Sequence, residues 1–214
     1  MSACNDILHD HLSECPIVAI LRGITPDEVV PIGQALIGAG VRIIEIPLNS
    51  PAPFESIHRL AQDVGKRALV GAGTVLTVSD VAKVKEAGGQ LVVSPNTDVA
   101  VITATVQADM VSIPGFFTPT EAYAAIHAGA NAIKLFPAEA ASPAVIKAQR
   151  AVLPIHIPVL VVGGVQAEDV PDWLSAGANG FGLGGALYHP GQSASHVAEQ
   201  AARFVKAIDL AGTK

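Results

Sequence analysis

The sequence predicts an α/β protein, a (β/α)8 TIM barrel with a short N-terminal helix in a single domain over residues 1–214, from three observations. Eight short apolar segments alternate with stretches of helical periodicity along the 214 residues. Helix-ending pairs recur at Ala39-Gly40, Ala87-Gly88, Ala128-Gly129 and Ala176-Gly177, and glycine suits the left-handed residue that closes a helix. Charge is nearly absent from the strands, and apart from Arg42, at a strand's first residue, it falls toward their carboxyl ends, where barrels of this type place their chemistry. An open, doubly wound sheet is the alternative. Against it, no Gly-x-Gly-x-x-Gly follows the first strand, where Ile20-Leu21-Arg22-Gly23 stands instead.

Taken in order, a leading helix is expected over 3–14 and the first strand over 18–22. Thr25-Pro26-Asp27-Glu28 reads as a capping box with proline at the first helical position, so a helix is expected over 26–38. Strand 42–48 and helix 53–64 follow, then strand 68–74, helix 78–87, strand 90–95 and helix 98–107. The fifth strand covers 110–114, and Thr118-Pro119-Thr120-Glu121 repeats the capping-box pattern ahead of a helix over 119–128. Strand 132–136, helix 143–151, strand 158–162, helix 167–176, strand 180–184 and helix 193–209 complete eight strand–helix units.

Half of the residues are hydrophobic, enough to fill a large core. The net charge of −6 and the lack of any Lys/Arg cluster argue against nucleic acid and anionic membrane surfaces as partners. The apolar runs are short and broken by Gly and Pro, which argues against a membrane span. Cys4 and Cys15 have no metal-like spacing, and the acidic N-terminus has no signal-peptide h-region. A soluble cytoplasmic protein is expected.

Three charged residues fall toward strand ends: Arg22, Glu45 and Lys134. Alternation puts Ile43, Glu45 and Pro47 on one face, and Ala132, Lys134 and Phe136 on one face. If those faces point inward, Ile44, Ile46, Ile133 and Leu135 point out to the helices. Buried charges persist when they are paired or employed. One reading is an internal ion network that fixes the barrel register. The favoured one gives each a task. Lys134, desolvated, attacks a carbonyl as a neutral amine; Glu45 moves protons; Arg22 grips a carboxylate.

Glycines close the last two strands, as Gly163-Gly164 and as Gly182-Leu183-Gly184-Gly185. The loops after those strands form the recurrent phosphate site of such barrels, where amides bind the anion without a basic patch. Plain tight turns are the alternative. The seven histidines, at positions 9, 11, 58, 127, 156, 189 and 196, form no constellation, and neither a metal site nor a nucleophile elbow is evident. Trp173 is expected to serve packing.

These segments carry a resemblance. Ala19-Ile20-Leu21-Arg22-Gly23, the run Glu45 to Pro51, Gly71-Ala72-Gly73-Thr74-Val75-Leu76, Ser94-Pro95-Asn96, Ile113-Pro114-Gly115, the run Lys134 to Ala138 and Gly163-Gly164 resemble the 2-dehydro-3-deoxy-6-phosphogluconate and -phosphogalactonate aldolases. The likeness spans nearly the whole chain. It implies a class I aldolase that uses no metal or cofactor, with Lys134 as Schiff-base lysine and Glu45 as acid/base. It also implies that Arg22 and Thr74 contact a substrate carboxylate and that Gly163, Gly164 and Gly184 line a phosphate site. Gly185, where the family often has serine, leaves backbone amides as the grip. Pro95 and Phe136, from two of these motifs, are expected as pocket walls. The run Ile46 to Pro51 looks like the galactonate branch, since the gluconate branch typically has Thr-Leu-Arg-Thr there. Val162 stands where gluconate enzymes usually carry threonine, and its lack of a hydroxyl marks it as a specificity residue. The implied partners are a phosphorylated keto-deoxy sugar acid and pyruvate, and the implied assembly is a homotrimer. Alternatives are a gluconate-type or dual-specificity aldolase, a phosphosugar isomerase or epimerase, or a non-catalytic sugar-phosphate binding protein.

Overall fold

The computed structural model describes residues 3–212, so both ends of the domain expected over 1–214 lie outside the described residues. Helix α1 (Ala3–Glu14) precedes β1 (Ile17–Ile20), α2 (Val29–Gly38), β2 (Ile43–Pro47), α3 (Pro53–Val64), β3 (Leu69–Gly73) and α4 (Val78–Glu86). Then come β4 (Leu91–Val93), α5 (Val99–Gln107), β5 (Val111–Ile113), β6 (Gly115–Phe116), α6 (Pro119–His127) and β7 (Ile133–Leu135). The chain continues through α7 (Pro143–Arg150), β8 (Val159–Val162), α8 (Val170–Ser175), β9 (Gly180–Leu183) and α9 (Ala194–Gly212).

The nine strands are all parallel, in the order β5-β4-β3-β2-β1-β9-β8-β7-β6. That order is cyclic: β5 lies within the fifth predicted strand, and β6, just past Pro114, continues the same segment beyond its expected end. Backbone bonds from Asn131 to Ser112 (3.0 Å) and from Lys134 to Pro114 (2.9 Å) join this segment to β7 and close the barrel. A doubly wound sheet would reverse its strand order at a switch point, and this one does not. Proline has no N–H to give a ladder, so the break falls where the sequence puts it.

Alternation sorts the side chains as expected. Val18, Ile43, Leu69, Leu91, Val93, Val111, Ile113, Ala132 and Leu160 form an interior cluster, and Leu8 and Leu12 of α1 cork it from below. Ile44, Ile46, Ile133 and Leu135 belong to the cluster between strands and helices, as does Trp173. Each such fully buried aliphatic side chain contributes about 1.5–3 kcal/mol.

Several boundaries differ from expectation. The first strand stops at Ile20, and α2 begins at Val29 rather than at residue 26. Around Thr25 only half of the expected capping box forms: Glu28 accepts from the N–H (3.1 Å) and hydroxyl (2.6 Å) of Thr25, but the reciprocal bond is missing. At Thr118 and Glu121 the box is complete. The helix expected over 167–176 starts as a 3-10 turn at Ala167–Asp169. Gly40, Gly88, Gly129 and Gly177 have φ of 102°, 87°, 97° and 104°, the left-handed conformation expected at helix ends.

Candidate active site

The carboxyl ends of the strands surround a cavity of about 420 Å³. Arg22, Glu45, Thr74, Pro95, Lys134, Phe136, Val162, Gly163, Gly164, Gly184 and Gly185 all line it. Every predicted site residue is therefore brought to one place. Most sit at or just beyond a strand end, because the ladder stops before the loops that carry them.

Two of the three predicted charges are enclosed. Lys134 is 6% exposed and Glu45 3%, each projecting inward from the middle of its strand. Arg22 corrects the expectation of three buried charges. It lies two residues past the end of β1 and is exposed, its Nη1 donating to Oδ1 of Asn49 at 2.7 Å. Phe136, expected as a pocket wall, lines the cavity with a half-exposed ring. None of the ion pairs among the described residues includes Arg22, Glu45 or Lys134, which disfavours the internal ion network.

Burial governs the electrostatics of the enclosed pair. Loss of hydration pushes the Glu45 carboxyl up to about 7, against the pull of Lys134 and Arg22. The same loss brings the Lys134 ammonium down to about 8, helped by Arg22 and opposed by Glu45. Each group is thereby driven toward its neutral form. The Lys134 Nζ also lies 5.1 Å from the Phe136 ring centroid. Oε2 of Glu45 is buried and takes no hydrogen bond from the protein, which leaves it an unused acceptor.

Neighbouring strands make room for this carboxyl. A Cβ at Gly73 would overlap its three carboxyl atoms, so glycine there is a requirement of Glu45. The next residue, Thr74, has φ 56°, a left-handed conformation rare for a β-branched side chain. Such strain is of order 1–3 kcal/mol and persists where the surroundings impose it. Here the Val75 N–H donates to the Val93 carbonyl (3.3 Å), and the buried Ser94 hydroxyl donates to the Val75 carbonyl (2.8 Å).

The glycine turns divide by cause. Gly163 and Gly164 have φ of 114° and 66°, and a Cβ on either would run into Glu139. Their glycines are needed for the turn itself. At Gly184 a Cβ would meet nothing nearer than Ile20 at 3.9 Å, so the space above it is open to a ligand. At Gly185 the Cε1 of His189 would be 3.2 Å away.

Sequence reasoning missed Glu139, His189 and Asn49 as neighbours of the site. Glu139 follows the lysine strand by only a few residues, a placement that could have flagged it. His189 stands four residues after Gly185 in the same loop, whereas Asn49 reaches Arg22 across separate loops, which spacing does not reveal. Cys4 and Cys15 are free thiols, and no group of His, Cys, Asp and Glu among the described residues could hold a metal ion.

The family model for KDPG and KHG aldolase matches residues 8–201. The 2-dehydro-3-deoxy-6-phosphogalactonate aldolase of Escherichia coli (strain K12) is 48% identical over 195 residues, covering 91% of this chain and 95% of that protein. A solved structure described as native KDPGal superposes with a TM-score of 0.92 at 47% identity, covering 94% of this chain and 98% of the other. A cube-shaped protein cage designed by fusing symmetric oligomeric domains gives a TM-score of 0.91 at 48% identity, over 92% of this chain and 73% of the cage chain.

Proposed function

Because the chain belongs to the KDPG and KHG aldolase family, we propose that it cleaves 2-dehydro-3-deoxy-6-phosphogalactonate to pyruvate and D-glyceraldehyde 3-phosphate through a Schiff base on Lys134. Membership makes it an aldolase, a carbon–carbon lyase. One observation carries the Schiff-base reading: an amine and a carboxyl group, both enclosed and both driven toward neutrality, face a single cavity rimmed by glycine turns.

The neutral amine of Lys134 adds to the keto carbon. Glu45 then protonates the carbinolamine hydroxyl, water leaves, and an iminium forms. As a carboxylate, Glu45 takes the proton from the carbon-4 hydroxyl while the bond between carbons 3 and 4 breaks toward the iminium. Glyceraldehyde 3-phosphate is released, and an enamine remains. Glu45 returns its proton to carbon 3, and hydrolysis of the new iminium frees pyruvate and restores the amine.

Arg22 and Thr74 hold the substrate carboxylate, and the amides at Gly163, Gly164, Gly184 and Gly185 hold the phosphate. Pro95 and Phe136 form walls. Val162 presents methyl groups where a hydroxyl would favour the gluconate epimer, and the 48% identical Escherichia coli relative carries the galactonate name. The chain acts in the cytoplasm as a homotrimer. Exposed Val152 and Ile155, the latter 88% exposed, supply apolar surface for assembly.

Incubation with pyruvate and borohydride, followed by intact mass, tests the covalent step. The wild-type chain gains a reduced pyruvate adduct, and Lys134→Arg gains none because guanidinium does not deprotonate. Adduct on Lys134→Arg would refute the assignment. An isomerase or a binding protein would gain none in either form.

A further inference from the structure

The loop after β2 reaches across to the loop after β1 at two points. Oδ1 of Asn49 accepts from Nη1 of Arg22 at 2.7 Å, and Oγ of the neighbouring Ser50 accepts from the Gly23 N–H at 2.9 Å. Ser50 is itself held: it is buried, and its N–H donates to the Pro47 carbonyl at 2.9 Å. Gly23 has φ 83°, so the backbone turns sharply just past Arg22. The Leu21 N–H, one residue earlier, donates to the Glu45 carbonyl at 3.0 Å.

We propose that Asn49 is a positioning residue that holds the Arg22 guanidinium ready for the substrate carboxylate. This rests on the reading of Arg22 given above. An exposed arginine side chain loses considerable rotamer freedom when it grips a ligand, and ordering it beforehand removes that loss from binding. Asn49 suits the task because its amide is neutral. It engages one N–H and leaves the positive charge and the remaining donors for a bidentate contact. A carboxylate at the same place would order the guanidinium too, but it would neutralise the charge that the substrate needs. Ser50 fixes the backbone from which Arg22 projects. Because the same strand carries Glu45, proton carrier and carboxylate clamp are set in one frame.

Four proteins decide the matter: wild type, Asn49→Ala, Arg22→Ala and the double variant. The readouts are KM and kcat for aldol cleavage, the pyruvate concentration that half-saturates borohydride trapping, and urea unfolding. Asn49→Ala is expected to raise KM and the half-saturating pyruvate about five- to tenfold, the worth of roughly one ordinary hydrogen bond. Its kcat stays within about twofold and its unfolding midpoint is unchanged, since an exposed loop side chain is not part of the core. In the Arg22→Ala background the same substitution adds nothing, because there is no guanidinium left to position. The proposal is overturned if Arg22→Ala raises both constants while Asn49→Ala raises neither, or if the two effects add in full. If Arg22→Ala itself moves neither constant, the premise about Arg22 fails and the proposal with it.

Discussion

Gly73→Ala isolates the placement of the Glu45 carboxyl from its chemistry. The added methyl group would occupy the position of the carboxyl carbon and both its oxygens. Gly73 has no left-handed φ, so alanine meets no backbone strain and the collision is the whole perturbation. Glu45 can yield only by swinging its carboxyl away, because its side chain is enclosed by the barrel. Overpacking of that kind costs about 1–3 kcal/mol, partly offset by about 0.4–1 kcal/mol from a less flexible unfolded chain. The fold should survive. Catalysis should not, since a displacement of about 1 Å costs about a hundredfold and loss of acid/base help costs about 10²–10⁴-fold. In a lactate-dehydrogenase-coupled assay of pyruvate release, kcat is expected to fall at least a hundredfold. Gly71→Ala provides the contrast. Its Cβ would lie 2.6 Å from the carbonyl carbon of Leu91, a backbone atom that cannot swing aside, so that variant should lose the fold. A folded Gly73→Ala enzyme with kcat within threefold of wild type would refute the reasoning.

Four further outcomes are expected. Glu45→Gln slows cleavage by about 10²–10⁴-fold, read in the same coupled assay, and a near-normal rate would remove Glu45 from proton transfer. The rate of borohydride-trapped adduct formation is bell-shaped in pH with its maximum between about 7 and 8, because Lys134 must shed its proton while Glu45 must keep its own to expel water from the carbinolamine, with their pKa values near 8 and 7; a flat profile would contradict it. Lys134→Met is expected to be more stable than wild type at pH 7 in urea. The folded pKa of Lys134 is depressed, so the destabilisation that the methionine relieves is full below the folded value near 8 and fades as pH approaches the unfolded value near 10.5. That gain is roughly 1–3 kcal/mol, and a loss would show that the buried ammonium is well compensated. Val162→Thr shifts the ratio of kcat/KM between the two carbon-4 epimers toward the gluconate substrate by roughly tenfold, measured by supplying each epimer in turn.

Much of this was legible from alternation alone. A strand with Ile43, Glu45 and Pro47 on one face and two isoleucines on the other has a single sensible orientation in a barrel, and the interior and exterior clusters follow it. Strand ends were less legible. Nothing in Val-Ala-Ile-Leu-Arg tells where the ladder stops, so Arg22 read as buried although it projects from a loop. The two Thr-Pro-x-Glu runs are alike in sequence and differ in fact, since α2 starts three residues later, at Val29, and the Glu28 carboxylate also feels the Gly191 backbone in the loop after β9. That partner is distant in the chain and invisible to a local pattern. The role of Gly73 was likewise hidden, since it depends on which side chain of β2 stands opposite.

The helix that plugs the barrel floor has a kinetic corollary. With Leu8 and Leu12 filling the lower opening, a ligand enters and both products depart through the upper rim. In the proposed reaction Lys134 would hold its fragment in the depths, while the glycine turns would seat the other fragment on the way out. The order of departure is thereby written into the shape of the chamber: the phosphorylated aldehyde must clear the doorway before water can reach the tethered three-carbon remnant and set it free.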